Sequence, residues 1–175
     1  MRGQPWDGPD LPQWKVVSVH DPKSGDEIMW HTVFVALHAT TGVVALAAGS
    51  VALRAGRLFT TYLTALVGMT LFLVLALIAE WGEIGTTARV LFAAFAVLAG
   101  IMVVRALMAR RITPGTVPYV KHVGFTLVSL LDAFLVVTVL NMGAPVWLVV
   151  VTGVVIGVAG GVVLRRIEAA LAVPA

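Results

Sequence analysis

Five apolar runs, near residues 32–53, 60–80, 86–108, 120–140 and 146–164, are separated only by short polar connections, and this pattern constrains the fold more than any other feature. Each run is long enough to cross a hydrocarbon layer of ~30 Å as a helix rising 1.5 Å per residue. Strands are excluded, because an open sheet edge cannot sit in lipid and the runs lack the strict alternation of an outer-membrane barrel. The expected fold class is all-α: an integral membrane bundle of five transmembrane helices with a short extracytoplasmic N-terminal arm. Composition agrees. With 59% of 175 residues hydrophobic, 12% charged and a mean hydropathy of +0.99, the chain has too little polar surface to coat a soluble domain. Five crossings of roughly 20 residues each leave no room for a second globular domain.

The arm, residues 1–30, is polar and rich in Pro, Gly and Asp, with no charged-then-apolar run of the kind a cleavable signal peptide needs. A short strand from Trp14 to Val19 and a turn through residues 20–25 are expected there, with disorder as the alternative. Orientation follows from the cations. Arg54, Arg57, Arg105, Arg110, Arg111, Lys121, Arg165 and Arg166 belong on one side, whereas Asp7, Asp10, Asp21, Asp26, Glu27, Glu80 and Glu83 share the other with Arg2, Lys15, Lys23 and Arg89. The positive-inside rule makes the basic side cytoplasmic, which puts the N-terminus outside and a tail at 167–175 inside a cell membrane. Trp6, Trp14, Trp30, Trp81 and Trp147 all fall on the outer side, where indoles favour the headgroup level. The net charge of +3 therefore divides between two opposite faces. Its basic half reads as contact with anionic lipid. No basic patch is interleaved with exposed aromatics, so the expected partner is the bilayer and not nucleic acid.

Asp132 lies near the centre of the fourth run, where a carboxylate costs at least ~2.5 kcal/mol, so it is expected to pair or to function. His122, Thr126, Ser129 and Asp132 follow at spacings of four, three and three, which predicts a polar stripe facing the bundle interior. That stripe reads either as a proton or ion path or as interhelical hydrogen bonding with hydroxyls bonded to their own backbone. On the first helix His31 and His38 share a face that continues through Thr41, Ala45 and Gly49. His38 and Asp132 differ in expected depth by only ~6 Å, and Arg89 can reach inward to the acid or snorkel outward. His38, Asp132, Arg89, Ser129 and Thr126 are thus the candidate intramembrane polar site, with His31, Glu80 and Glu83 as an outer pocket rim. The simpler alternative is interfacial anchoring of the rim and a structural Arg89–Asp132 pair.

No cofactor and no metal are expected. The absence of cysteine removes disulfides, thiolate metal sites, iron-sulfur clusters and thiol nucleophiles. His31 and His38 lie ~10 Å apart along one helix and cannot share a metal without further ligands. His38 and His122 belong near opposite faces, more than ~10 Å apart in depth, so they cannot both ligate one haem iron. There is no Gly-x-Ser-x-Gly elbow, phosphate loop or His-Glu-x-x-His, so no enzyme is expected. Gly153, Gly157 and Gly161 form a small-xxx-small pattern that predicts close helix packing, within the chain or in a homo-oligomer; Ala45 with Gly49 and Ala96 with Gly100 offer matching shallow surfaces. Residues 41–54 match 152–165 at nine of fourteen positions, either as a parallel repeat or as a product of Gly/Ala/Val-rich composition.

The run His38-Ala-Thr-Thr-Gly42-Val-Val-Ala-Leu-Ala-Ala-Gly49, followed by Val51-Ala-Leu-Arg54-Ala-Gly-Arg57, resembles the opening of an uncharacterised group of bacterial multi-pass membrane proteins of the domain-of-unknown-function type. The likeness is a His-x-x-x-Gly helix leading to a cytoplasmic Gly-Arg, and it covers residues 36–60. It implies a bacterial inner-membrane bundle in which His38 matters. The leading expectation is a non-enzymatic structural or accessory membrane component, alone, as a homo-oligomer or in a larger membrane complex. A small transporter or proton/ion relay using His38 and Asp132 is the alternative, and a quinone- or cofactor-binding subunit the third reading.

Overall fold

The structure, a computed structural model, describes residues 22–82 and 85–172. Its elements are α1 (Pro22–Ala55), α2 (Phe59–Ala79), α3 (Thr86–Ala109), α4 (Val117–Asn141) and α5 (Val146–Ala172). All five contain a stretch long and apolar enough to cross a membrane, and no strand occurs among the described residues. The chain is an all-α, multi-pass integral membrane protein.

Two helices run further than their apolar runs. α1 starts at Pro22, so residues 22–25 are helical where a turn through 20–25 is expected, and residues 20 and 21 lie outside the described residues; proline fits the first helical turn, where its missing N–H costs nothing. At 1.5 Å per residue α1 is ~51 Å long, more than a ~30 Å hydrocarbon layer needs, and its membrane span is Thr32–Ala55. The strand expected at Trp14–Val19 lies outside the described residues. α5 continues past Arg165 and Arg166 to Ala172, because Ile167, Glu168, Ala169, Ala170 and Leu171 include several strong helix formers.

α1 packs on α2 and α4, and α3 closes the circuit by touching both α2 and α4, giving a ring of four helices. Among the described residues α5 packs on α4 alone. Lipid tails are as apolar as leucine, so burial of grease does not drive this association; close backbone approach and dense contact do. Ala45, Ala48 and Ala52 of α1 and Ala99, Ala106 and Ala109 of α3 are buried, and the larger Tyr62, Leu66, Met69, Tyr119 and Val123 fill the space between helices.

One end of the ring is tightly tied. Gly56 takes a left-handed φ of 66° in the α1–α2 turn, and a Cβ there would meet Pro114 of the α3–α4 connection at 2.6 Å. The Tyr119 hydroxyl donates to the Ala52 carbonyl at 2.9 Å across the same end. These contacts gather Arg54, Arg57, Arg110, Arg111 and Lys121, and packing of Leu164 over Gly124 brings Arg165 and Arg166 to them. Trp30, Trp81 and Trp147 are exposed at the opposite end, the placement of interfacial aromatic anchors.

Candidate functional site

α4 carries three of the five candidate intramembrane residues, Thr126, Ser129 and Asp132, and touches three helices, so its rotation decides what those residues meet. Leu127 and Phe134 face Gly49 and Gly42 of α1, while Val128, Asp132 and Val136 face Gly160 and Gly153 of α5. Phe125 lies against Arg105 of α3. At ~100° per residue Asp132 sits ~160° around the helix from Phe134. The acid therefore points away from α1, the helix that carries His38.

The same arithmetic breaks up the polar stripe. From His122 to Asp132 is ten residues, ~1000° of rotation, which falls ~80° short of three full turns. That drift is enough to pass from one neighbouring helix to the next. His122 opens on the α3 side, Thr126 and Ser129 are buried, and Asp132 lies on the α5 seam. Only the middle two residues meet the expectation of a stripe facing the bundle interior. Thr126 donates to its own helix at the His122 carbonyl, 3.0 Å away. Thr40, Thr41, Ser50, Thr64, Thr70, Thr138 and Thr152 likewise donate to the carbonyl four residues back.

His38 ties α1 to α2, its Nδ1 standing 2.9 Å from the Met69 carbonyl, so Nδ1–H donates to that oxygen. Arg89 stays at the end of the bundle: its Nη2 donates to the Gly82 carbonyl at 3.2 Å and its guanidinium stands 6.0 Å from the Trp81 ring centre. It does not pair with Asp132, because the guanidinium is held by the α2–α3 connection it helps to close. Glu80 caps the end of α2 nearby. Glu83 lies outside the described residues, and of His31 only the helical backbone is described. The Asp132 Oδ1 is buried and has no hydrogen-bond partner, and it stands 3.7 Å from the position a Cβ would take on Gly153. The carboxyl thus lies beside Gly153, between α4 and α5.

The other buried polar atoms without partners, Tyr62 Oη, His122 Nδ1 and Arg89 Nε, lie on α2, at the start of α4 and at the start of α3. They form no common site with Asp132. Among the described residues no three of His, Asp and Glu come close enough together to hold a metal ion.

The glycines of α5 divide differently from their four-residue spacing. A Cβ at Gly153 would meet Val136 at 3.3 Å and one at Gly160 would collide with Val128, whereas Gly157 and Gly161 have nothing within 4 Å. The internal packing pair is therefore Gly153 with Gly160, seven residues apart, and Gly157 and Gly161 look outward. In the match between residues 41–54 and 152–165, Gly42 corresponds to Gly153 and Gly49 to Gly160. Both pairs do the same work, since a Cβ would meet Phe134 at 3.2 Å from Gly42 and Leu127 at 2.7 Å from Gly49. α4 is gripped on two nearly opposite faces by helices that run parallel to each other and present the same glycine spacing. Gly160 was not singled out by four-residue spacing, but the aligned repeat contains the signal. The Arg105–Phe125 contact, 4.4 Å from guanidinium to ring centre, and the Tyr119–Ala52 bond join residues 20 and 67 positions apart and leave no local trace in the sequence.

No protein-family model, no curated protein and no solved structure matches this chain.

Proposed function

We propose that this protein is a non-enzymatic structural or accessory component of a cell membrane, oriented with its N-terminus outside and its basic end in the cytoplasm. The resemblance over residues 36–60 supports reading that membrane as a bacterial inner membrane. The observation that carries the reading is the separation of the intramembrane polar groups. His38 is bound to an α2 carbonyl, Arg89 to the α2–α3 connection, and Asp132 faces α5 on the side of α4 turned away from α1. A relay needs groups that can hand a proton on within hydrogen-bond reach, and here each is engaged in a different seam. Two of the hydroxyls beside them, Thr41 and Thr126, donate to their own helices. Asp132 then serves the α4–α5 seam, with α5 offering the outward Gly157–Gly161 side to a further helix of the same or another chain.

One observation favours a proton or ion relay as the second reading: the buried, unpartnered Oδ1 of Asp132. Proton flux into proteoliposomes separates the two. For a structural component, wild-type protein and Asp132→Asn give the flux of empty liposomes and the variant changes only thermal stability. A relay gives wild-type flux that Asp132→Asn abolishes in a folded protein.

A further inference from the structure

We propose that the groove between α3 and α4 at the basic end is a binding site for one anionic glycerophospholipid of the adjacent leaflet. The groove has a charged mouth and an apolar body. Arg105, Lys121 and His122 line the mouth, and Val97, Ile101, Val104 and Met108 form a stripe along one side of α3. Gly100 lies within that stripe with nothing within 4 Å of a would-be Cβ, so the wall is recessed there.

Length and charge identify the occupant. From Arg105 to Val97 the stripe spans eight residues, ~12 Å at 1.5 Å per residue, which fits within the ~15 Å of one leaflet of hydrocarbon. An acyl chain laid along it would end near the bilayer midplane with its headgroup at the three basic side chains. Among the described residues neither Arg105 nor Lys121 forms an ion pair, and the Arg105 guanidinium carbon stands 4.4 Å from the Phe125 ring centre. A guanidinium without a carboxylate partner can make the bidentate contact that suits a phosphodiester. A neutral or zwitterionic lipid would fit the slot but leave the cationic mouth uncompensated.

The test is native mass spectrometry of the full chain in neutral detergent, titrated with phosphatidylglycerol or with phosphatidylcholine of identical acyl chains. Wild type is expected to bind one phosphatidylglycerol in preference to phosphatidylcholine, by on the order of tenfold. Arg105→Gln/Lys121→Gln should remove that preference, whereas Arg54→Gln/Arg57→Gln, at another groove of the same end, should retain it. Gly100→Leu fills the slot at a position with room for a side chain, leaves every charge in place, and should abolish binding of both lipids; it keeps the test decisive if the charge variant fails to fold. Equal binding of the two lipids, equal loss in both charge variants, unchanged binding by Gly100→Leu, displacement of the lipid by inorganic phosphate, or a polypeptide as the bound mass would each overturn the proposal.

Discussion

The ring of α1–α4 and the lone helix α5 use the same device to opposite extents. α1 and α5 both dock on α4 through glycines seven residues apart, yet α1 is also held by α2, and α5 has no second neighbour among the described residues. About 22% of the α1 span is buried against 6% of the α5 span. The comparison teaches that the shared glycine spacing sets how a helix meets α4, while a second contact decides whether that helix belongs to the core. It also explains where the intramembrane acid sits. Asp132 occupies the seam of the less enclosed helix, beside Gly153, and not the ring, whose interior holds buried alanines, Tyr62, Tyr119 and Thr126, the last bonded to its own helix.

The sharpest way to break the comparison is inside the ring. Gly49→Leu would drive a side chain into Leu127 and Tyr62, which a Cβ already approaches at 2.7 and 2.8 Å, so it should destabilise the protein by about 3 kcal/mol in denaturant titration and loosen α1 from two helices at once. Gly160→Leu makes the equivalent clash with Val128 at the α5 seam. Only one contact is lost there, so the effect should be smaller, about 1–2 kcal/mol, with the ring intact by protease resistance. Equal losses from the two substitutions would mean that α5 is part of the core. Gly157→Leu should do least, within about 0.5 kcal/mol, because nothing lies within 4 Å and leucine is the better helix former. A large loss there in native membranes, absent in dilute detergent, would place a partner helix against the outward side of α5.

The architecture was legible because each apolar run matches a membrane thickness, and lipid admits few alternatives to helix. Helix ends were less so, since α1 and α5 continue into polar sequence where propensity alone, not hydropathy, sets the limit. The candidate intramembrane residues do not come together as the constellation their spacing predicts. Spacings of three and four place neighbours on one face, but the error accumulates, and over the ten residues from His122 to Asp132 it moves the stripe from α3 to α5. Depth alone made His38 and Asp132 look like neighbours. Rotation of α4, fixed by Leu127 and Phe134 against α1, turns them apart, and no local pattern encodes that rotation.

The central claim, that His38 and Asp132 serve different seams, is most directly tested by disulfide trapping in native membranes, which the absence of natural cysteine makes clean. A disulfide needs Cβ atoms ~3.5–4.5 Å apart. Val136→Cys/Gly153→Cys, across the α4–α5 seam, should cross-link readily within one chain, and His38→Cys/Asp132→Cys should not cross-link at all. Rapid cross-linking of the His38–Asp132 pair, with none between 136 and 153, would bring the two polar residues into one site and contradict the account.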